Sequence, residues 1–149
     1  MQRGKLTFIR ELHHLQSLGE KSVVTIGAFD GVHRGHQAIL QQVKDAARRL
    51  QLPSVVMTFE PQPREYFSAE RAPARLMRLR EKIDVLLEMG IDRVVCLQFN
   101  RQLRNLSARD FIDVVLVQGL AVKQLIAVSY THLRAHETGR NLVCRLLLE

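Results

Sequence analysis

Four short, nearly continuous apolar runs rich in valine and isoleucine alternate with longer stretches of helical periodicity. The runs cover residues 23–26, 54–59, 93–99 and 122–128. The helical stretches cover residues 37–50, 78–89 and 107–120. Strands buried on both faces read as continuous apolar runs, and their alternation with helices indicates parallel strands joined by right-handed crossovers. The sequence therefore predicts an α/β fold built on a parallel sheet.

Local signals predict the ends of these helices and the character of their surfaces. Gly90 follows the second helical stretch and is the expected C-cap, since glycine adopts a left-handed backbone at little cost. Ser107 begins the third stretch with Asp110 three residues on, a spacing close to that of a capping box. We interpret the charges of residues 75–82 mainly as a solvated helix face, and the segment after residues 1–6 as charged and amphipathic.

The first apolar run ends in a glycine-rich turn that leads into the first helical stretch. The turn reads GAFDGVHRGH over residues 27–36, and its three glycines let the chain turn tightly and approach an anion closely. Backbone N–H groups at a helix N-terminus lack intrahelical partners and, together with the helix dipole, attract phosphate. Ligands of such sheets bind beyond the carboxyl ends of the strands, which is where this turn lies. The pattern predicts a phosphate-binding site.

Two histidines in this turn are the candidates for chemistry. His33 and His36 are three residues apart, so they share one face of a helical turn, and each can donate a hydrogen bond to phosphate oxygens. The lysine of a P-loop is missing from the turn, so the histidines would supply the electrophilic role. Asp30 could cap the helix or help hold a magnesium ion. Two other interpretations stay open: an ordinary turn with a solvated histidine pair, and a zinc site needing a further ligand.

The turn resembles the HxGH motif of the nucleotidyltransferase superfamily, and more closely the N-terminal FMN-adenylyltransferase module of the bacterial bifunctional riboflavin kinase/FAD synthetase. The resemblance implies a Rossmann-like parallel sheet and the transfer of AMP from ATP, which enters with Mg²⁺, to FMN, giving FAD and pyrophosphate. It implies a catalytic role for His33 and His36, which would steady the triphosphate. It implies ATP binding by their neighbours Gly27, Ala28, Phe29, Asp30, Gly31 and Gly35.

A second motif, TFEPQPREYF at residues 58–67, follows the second apolar run and reaches the same edge of the predicted sheet. Its prolines fix an extended loop with little entropy left to lose on binding, and its aromatic residues offer apolar surface to a planar ring. The motif resembles the flavin-nucleotide segment of FAD synthetases. That resemblance implies an FMN site formed by Phe59, Pro61, Pro63, Phe67 and Arg71. The alternative is a proline-rich strand exit with core aromatics.

Composition narrows the classes of protein and partner. The chain has 149 residues, which suits one domain, and no apolar run approaches the ~18 residues that cross a membrane. No signal-peptide core is present, so we expect a cytoplasmic protein without a membrane partner. Cys96 and Cys144 show no metal-ligand spacing, and we expect no metal site in the protein itself. The net charge of +7 is dispersed and suits ATP and FMN better than nucleic acid.

The resemblance begins at about residue 5 and stops at about residue 128. Residues 1–128 are therefore expected to form an incomplete nucleotidyltransferase domain, because the family continues with further ATP-site motifs and then a riboflavin kinase domain. Residues 129–149 look like a tail from a frameshift or read-through, and the intact parent is expected to carry the kinase domain. We expect the chain as written to be poorly active.

Two alternative functions stay open. One is a non-catalytic nucleotide- or flavin-binding fragment, and the other is a different adenylyl- or cytidylyltransferase of the HxGH type.

Overall fold

The described residues form a five-stranded parallel sheet with helices packed on it. The computed structural model describes residues 5–9, 21–27, 29, 34–60 and 78–126. The strands are β1 (Lys5–Ile9), β2 (Ser22–Ile26), β3 (Ser54–Glu60), β4 (Arg93–Gln98) and β5 (Val122–Leu125). The helices are α1 (Arg34–Leu50), α2 (Leu79–Glu88), α3 (Arg101–Arg104) and α4 (Ala108–Asp110), followed by a π-helix at Phe111–Gly119. The parallel α/β architecture expected from the sequence is confirmed.

The strand order is β1-β4-β3-β2-β5, with every pairing parallel. β2 lies next to β3, and β3 lies next to β4, so these successive strands are neighbours in the sheet. The connection from β4 to β5 instead passes back across β3 and β2. The direction of progress along the sheet therefore reverses at β2, which lies between β3 and β5. Such a reversal marks the ligand-binding crevice of open α/β sheets.

The apolar runs are continuous because helices cover both faces of the central strands. On one face, Val56 and Val94 pack in a cluster with Leu40 of α1 and Leu86 of α2. On the other face, the neighbouring residues of the same strands pack with the π-helix. The members of this second cluster include Val55, Val95, Phe111, Val115 and Leu116. The two layers of helices sandwich the sheet, and burial on both sides explains the valine-rich strands.

Both predicted helix caps are confirmed. Gly90 has a φ of 97°, and its amide donates to the Leu87 carbonyl at 3.1 Å, while the Ile91 amide donates to the Leu86 carbonyl at 3.2 Å. This is how a glycine after a helix satisfies the last carbonyls. The Ser107 hydroxyl accepts a hydrogen bond from the Asp110 amide at 3.0 Å, as an N-cap does. These caps fix where α2 ends and where α4 begins.

Two elements differ from the sequence-based expectation. The segment near the N-terminus contains β1, which pairs with β4 and keeps Leu6 and Phe8 each 44% exposed. The third helical stretch continues from α4 as a π-helix, in which the Leu120 amide bonds to the carbonyl of Val115, five residues earlier. The wider turn suits the buried residues of this segment, since π-type bonding widens the helical period.

The charges of residues 75–82 were expected to form a solvated helix face, and this is wrong for the last of them. Arg78, Arg80 and Glu81 are exposed as expected. Lys82 is 2% exposed, because it shares the apolar stripe of α2 with Ile83 and turns toward the sheet. The reason is position along the helix, which outweighs the usual surface preference of lysine.

Candidate functional site

The turn after β2 leaves the sheet beside β3. The Gly27 amide donates to the Met57 carbonyl at 3.1 Å, which extends the parallel ladder past the Ile26–Met57 pair. Gly27 therefore lies level with Thr58 on β3. Because β2 is also the strand at which the sheet order reverses, this turn stands at the edge where ligands of such sheets bind.

Phe29, a residue of this turn, packs inside the protein. Its φ is 52°, a left-handed backbone that an aromatic residue rarely adopts, and its side chain is only 2% exposed. The ring packs in one cluster with Leu40 of α1 and Ile83 of α2. A Cβ atom at Gly27 would lie 2.8 Å from Phe29 Cε2, so a glycine is required where the ring folds back over the chain. Packing thus holds Phe29 in an otherwise unfavourable backbone conformation.

His36 stands in the first turn of α1, at the same edge of the sheet. Its imidazole is partly exposed, and its ring centroid lies 4.9 Å from that of Phe29, with the two planes tilted by 53°. Gly35 occupies the same helical turn, which carries no acidic side chain. The first turn of α1 therefore combines the positive end of the helix dipole with a histidine donor, and it carries no carboxylate of its own. This arrangement can accept an anion such as a phosphate group.

Several predicted site residues lie outside the described part of the chain. In the turn these are Ala28, Asp30, Gly31 and His33. In the second motif these are Pro61, Pro63, Phe67 and Arg71. The structure therefore brings together Gly27, Phe29, Gly35 and His36, while the pairing of His33 with His36 and the flavin loop stay predictions.

Phe59 is the one described member of the predicted flavin site, and it is a core residue. It is 1% exposed and packs edge-on against Phe99, with ring centroids 6.0 Å apart. Its side chain belongs to the cluster on the π-helix side of the sheet, opposite the face that carries α1 and α2. Any part that Phe59 plays in flavin binding in this conformation comes from the packing it provides beneath the end of β3.

Sequence reasoning missed two polar residues beneath this edge. The Lys82 ammonium donates to the Thr58 hydroxyl at 3.2 Å, and both side chains are buried. A signal was present in the sequence, since Lys82 lies on the apolar stripe formed by Leu79, Ile83 and Leu86 of the predicted helix. Lysine at such a position places a charge toward the sheet. Thr58 likewise interrupts an apolar strand, whose other buried positions after Ser54 are Val, Met and Phe.

Neither a metal cluster nor a membrane span is found in the part of the chain that the structure describes. No three or more His, Cys, Asp or Glu side chains come together there in a way that could hold a metal ion. Among the described helices, none is long and apolar enough to cross a membrane. Glu60 is the carboxylate that ends β3, and its backbone carbonyl accepts from the Phe99 amide at 3.2 Å.

Comparison with known proteins identifies relatives over most of the chain. The model of the FAD synthetase family matches residues 15–138. The bifunctional riboflavin kinase/FMN adenylyltransferase of Pseudomonas fluorescens is 52% identical over 120 residues, which are 80% of this chain and 38% of that protein. The protein of the same name from Escherichia coli K12 is 50% identical over 121 residues, 80% of this chain and 39% of that protein. The chain thus spans about two fifths of the length of the curated relatives it matches.

A solved structure supports the same fold. A crystal structure from Streptococcus pneumoniae, described as that of a macrolide-efflux protein, superimposes with a TM-score of 0.69 at 27% sequence identity. The similarity covers 82% of this chain and 40% of that one. The efflux activity in that description belongs to the other protein, and the similarity bears on the architecture of the sheet and its helices.

Proposed function

Because the chain belongs to the FAD synthetase family, we propose that it carries the FMN adenylyltransferase site, which transfers AMP from ATP to FMN. An oxygen of the FMN phosphate attacks the α-phosphorus of ATP, the bond to the bridging oxygen of the β-phosphate breaks, and pyrophosphate leaves. The observation that carries this proposal is the position of His36 in the first turn of α1, packed on Phe29 at the carboxyl edge of the sheet. A helix N-terminus and a donor at one point suit a transferring phosphoryl group.

For the transfer of AMP, the protein has to position the substrates and stabilise negative charge on the phosphate oxygens. Phosphoryl transfer relies on alignment of the reacting groups and on stabilisation of the charge that develops on phosphate oxygens. His36 would hold the triphosphate through a hydrogen bond, with His33 as its partner from the same turn. Gly27, Ala28, Phe29, Asp30, Gly31 and Gly35 complete the proposed ATP site. No covalent intermediate with the protein is required.

The flavin side of the proposed site is the loop after β3. Pro61, Pro63, Phe67 and Arg71 would contact FMN, above the core position of Phe59. Mg²⁺ would enter with ATP, because this ion prefers substrate phosphates and one or two carboxylates to a full protein cage. ATP and FMN are the proposed small-molecule partners in a cytoplasmic protein, with neither nucleic acid nor membrane as a partner. The names of the relatives support a kinase domain in the intact parent.

Residues 129–149 form the second part of the proposal. We propose that they are a tail from a frameshift or read-through, although the family match extends to residue 138. Reading the DNA downstream of codon 128 tests this, and a second frame that continues the family pattern is the expected result. An unbroken single frame in independent isolates would contradict it.

The function is tested by binding first and by turnover second. Calorimetric titration of the 149-residue chain with ATP and with FMN should show saturable binding of both. His36→Ala and His33→Ala should weaken ATP binding, whereas His132→Ala, outside the turn, should not. In a complete relative, removal of either turn histidine should lower the rate of FAD formation by about 100-fold, as loss of one such donor does elsewhere. Unchanged rates of FAD formation in both variants would contradict the catalytic role that we propose for the two histidines.

The titrations also separate the alternatives. Binding of ATP and FMN with no FAD formed would identify this chain as a binding fragment. Turnover with phosphopantetheine or glycerol phosphate in place of FMN would identify a different transferase of the HxGH type.

A further inference from the structure

Lys82 is a buried charged residue, among those that the structure describes, to which the proposed mechanism gives no role. Its side chain is 2% exposed in the second turn of α2, and it lies among the apolar residues Leu79, Ile83 and Leu86. An ammonium group loses its hydration when it is buried, so proteins rarely bury one without a structural or functional reason. Lysine can usually extend its head to water, and Lys82 instead points toward the sheet.

The ammonium group bonds to the residue of β3 that lies level with Gly27. Its Nζ donates to Thr58 Oγ1 at 3.2 Å, and Thr58 is fully buried. The parallel register pairs Thr58 with Cys96 on β4, and on the other side Gly27 continues the ladder from Ile26. Neighbouring strands are about 4.8 Å apart. The positive charge therefore lies one strand from the first glycine of the turn.

The direction of α2 brings this charge to the ligand edge. The helix leads into the start of β4, so it runs from the carboxyl edge of the sheet to the amino edge, and Lys82 in its second turn lies at the carboxyl edge. Phe29, which packs against His36, shares a cluster with Ile83, the residue next to Lys82. Lys82 therefore lies next to the packed unit that Ile83 and Phe29 form with His36.

We propose that Lys82 supplies the fixed positive charge of the phosphate site and acts on the ligand through its electric field. The inference rests on the proposed function. It adds that Lys82 makes the site prefer a nucleoside triphosphate to a nucleoside monophosphate. The turn lacks the lysine of a P-loop, and Lys82 reaches the same region from another helix. Salt screens a buried charge less than an exposed one. The attraction between Lys82 and a bound nucleotide should therefore increase with the number of negative charges on the nucleotide, which is larger for a triphosphate than for a monophosphate.

The test compares ligands that differ in phosphate number. ATP, ADP and AMP are titrated without Mg²⁺ into the full chain and into Lys82→Met, which keeps the length and apolar character of the side chain. Lys44→Met is the matched control, because Lys44 is a half-buried lysine on α1 that donates to the Met89 carbonyl at the opposite edge of the sheet. Both variants lose the same net charge.

The expected result is graded by ligand charge. Lys82→Met should weaken ATP binding about tenfold, ADP binding less and AMP binding about twofold, while Lys44→Met should change each by less than about twofold. If Lys82→Met fails to fold, Lys82→Met/Thr58→Val replaces the donor and the acceptor of this hydrogen bond by apolar groups and keeps the measurement feasible. Equal losses for all three nucleotides would show a merely structural role and overturn the inference.

The two proposals fail in different ways. Wild-type binding of ATP and FMN with no change in Lys82→Met would contradict the role of Lys82 and leave the proposed function intact. A wild-type chain that binds neither nucleotide would contradict the proposed function, and the inference would fall with it.

Discussion

The ring of Phe29 rests against the imidazole of His36, with centroids 4.9 Å apart and planes tilted by 53°. Phe29 is held in a left-handed backbone conformation and is buried, whereas His36 is partly exposed. The contact joins a rigid side chain of the core to a side chain that can reach a ligand. The orientation of His36 therefore depends on a residue that itself has almost no solvent contact.

Replacing Phe29 by Leu should weaken ATP binding more than its effect on stability explains. The substitution keeps an apolar side chain but removes the ring that contacts His36, and we expect a loss of about 1–2 kcal/mol in the free energy of unfolding. Phe111→Leu is the control, since Phe111 is equally buried on the opposite face of the sheet. Urea unfolding and ATP titration of both variants provide the comparison, and equal affinities in the two would contradict the role of Phe29.

Gly27→Ala should disturb the contact between Phe29 and His36 by displacing the Phe29 ring. The new Cβ would lie 2.8 Å from Phe29 Cε2, so the ring must move, and we expect the free energy of unfolding to fall by about 1–3 kcal/mol. ATP affinity should fall as well, because His36 moves with the ring. In the control Gly90→Ala, the strain arises from a φ of 97° at the far end of α2 and should cost about 1–2 kcal/mol with ATP affinity unchanged. A Gly27→Ala chain of wild-type affinity would argue against this coupling.

Asp92→Ala should lower stability without affecting ligands. Asp92 Oδ2 accepts from the Ser54 amide at 2.8 Å and from its hydroxyl at 3.0 Å, which ties the amino ends of β3 and β4 together. Loss of these bonds should reduce the free energy of unfolding by about 1–2 kcal/mol, and Asp92→Asn, which keeps an oxygen acceptor, should lose less. Thermal unfolding measures the first effect, and ATP titration should be unchanged because the site lies at the other edge of the sheet.

Ser107→Ala should shorten or fray the helix that begins at α4. The hydroxyl satisfies the Asp110 amide at 3.0 Å, and loss of such a cap costs about 1 kcal/mol. Ser107→Asp should restore most of the stability, since aspartate caps equally well and favours the positive end of the helix dipole. Unfolding midpoints that do not differ between Ser107→Ala and Ser107→Asp would show that the cap is unimportant here.

The central strands of the sheet could be predicted because a strand that is buried on both faces is a continuous apolar run in the sequence. Residues 22–26 and 54–59 are buried without a break, so their apolar runs are uninterrupted apart from small polar residues. β1 lacks a continuous apolar run, since it lies at the edge of the described sheet beside β4 and keeps Leu6 and Phe8 partly exposed. An edge strand of this kind is recognised from its pairing with β4, which no local pattern contains.

The candidate site could be predicted as a location but not as a set of contacts. The glycines and histidines of residues 27–36 indicated a phosphate turn, and the parallel sheet set the edge at which it lies. The contact of Phe29 with His36 depends on a positive φ that an aromatic residue seldom adopts, so residue type gave no sign of it. Lys82 was assigned to the surface by its charge, although its helical position placed it inward.

The pairing of β1 with β4 also bears on how the chain folds. Lys5 pairs with Arg93, so this contact closes a loop that contains most of the described residues, whereas β2, β3 and β4 are successive strands of the chain that pair with one another. Loop-closure entropy makes distant pairings slower to form than near ones. We therefore expect β2, β3 and β4, with α1 and α2, to form the nucleus, and the phosphate turn to take shape before the edge strand β1 completes the sheet.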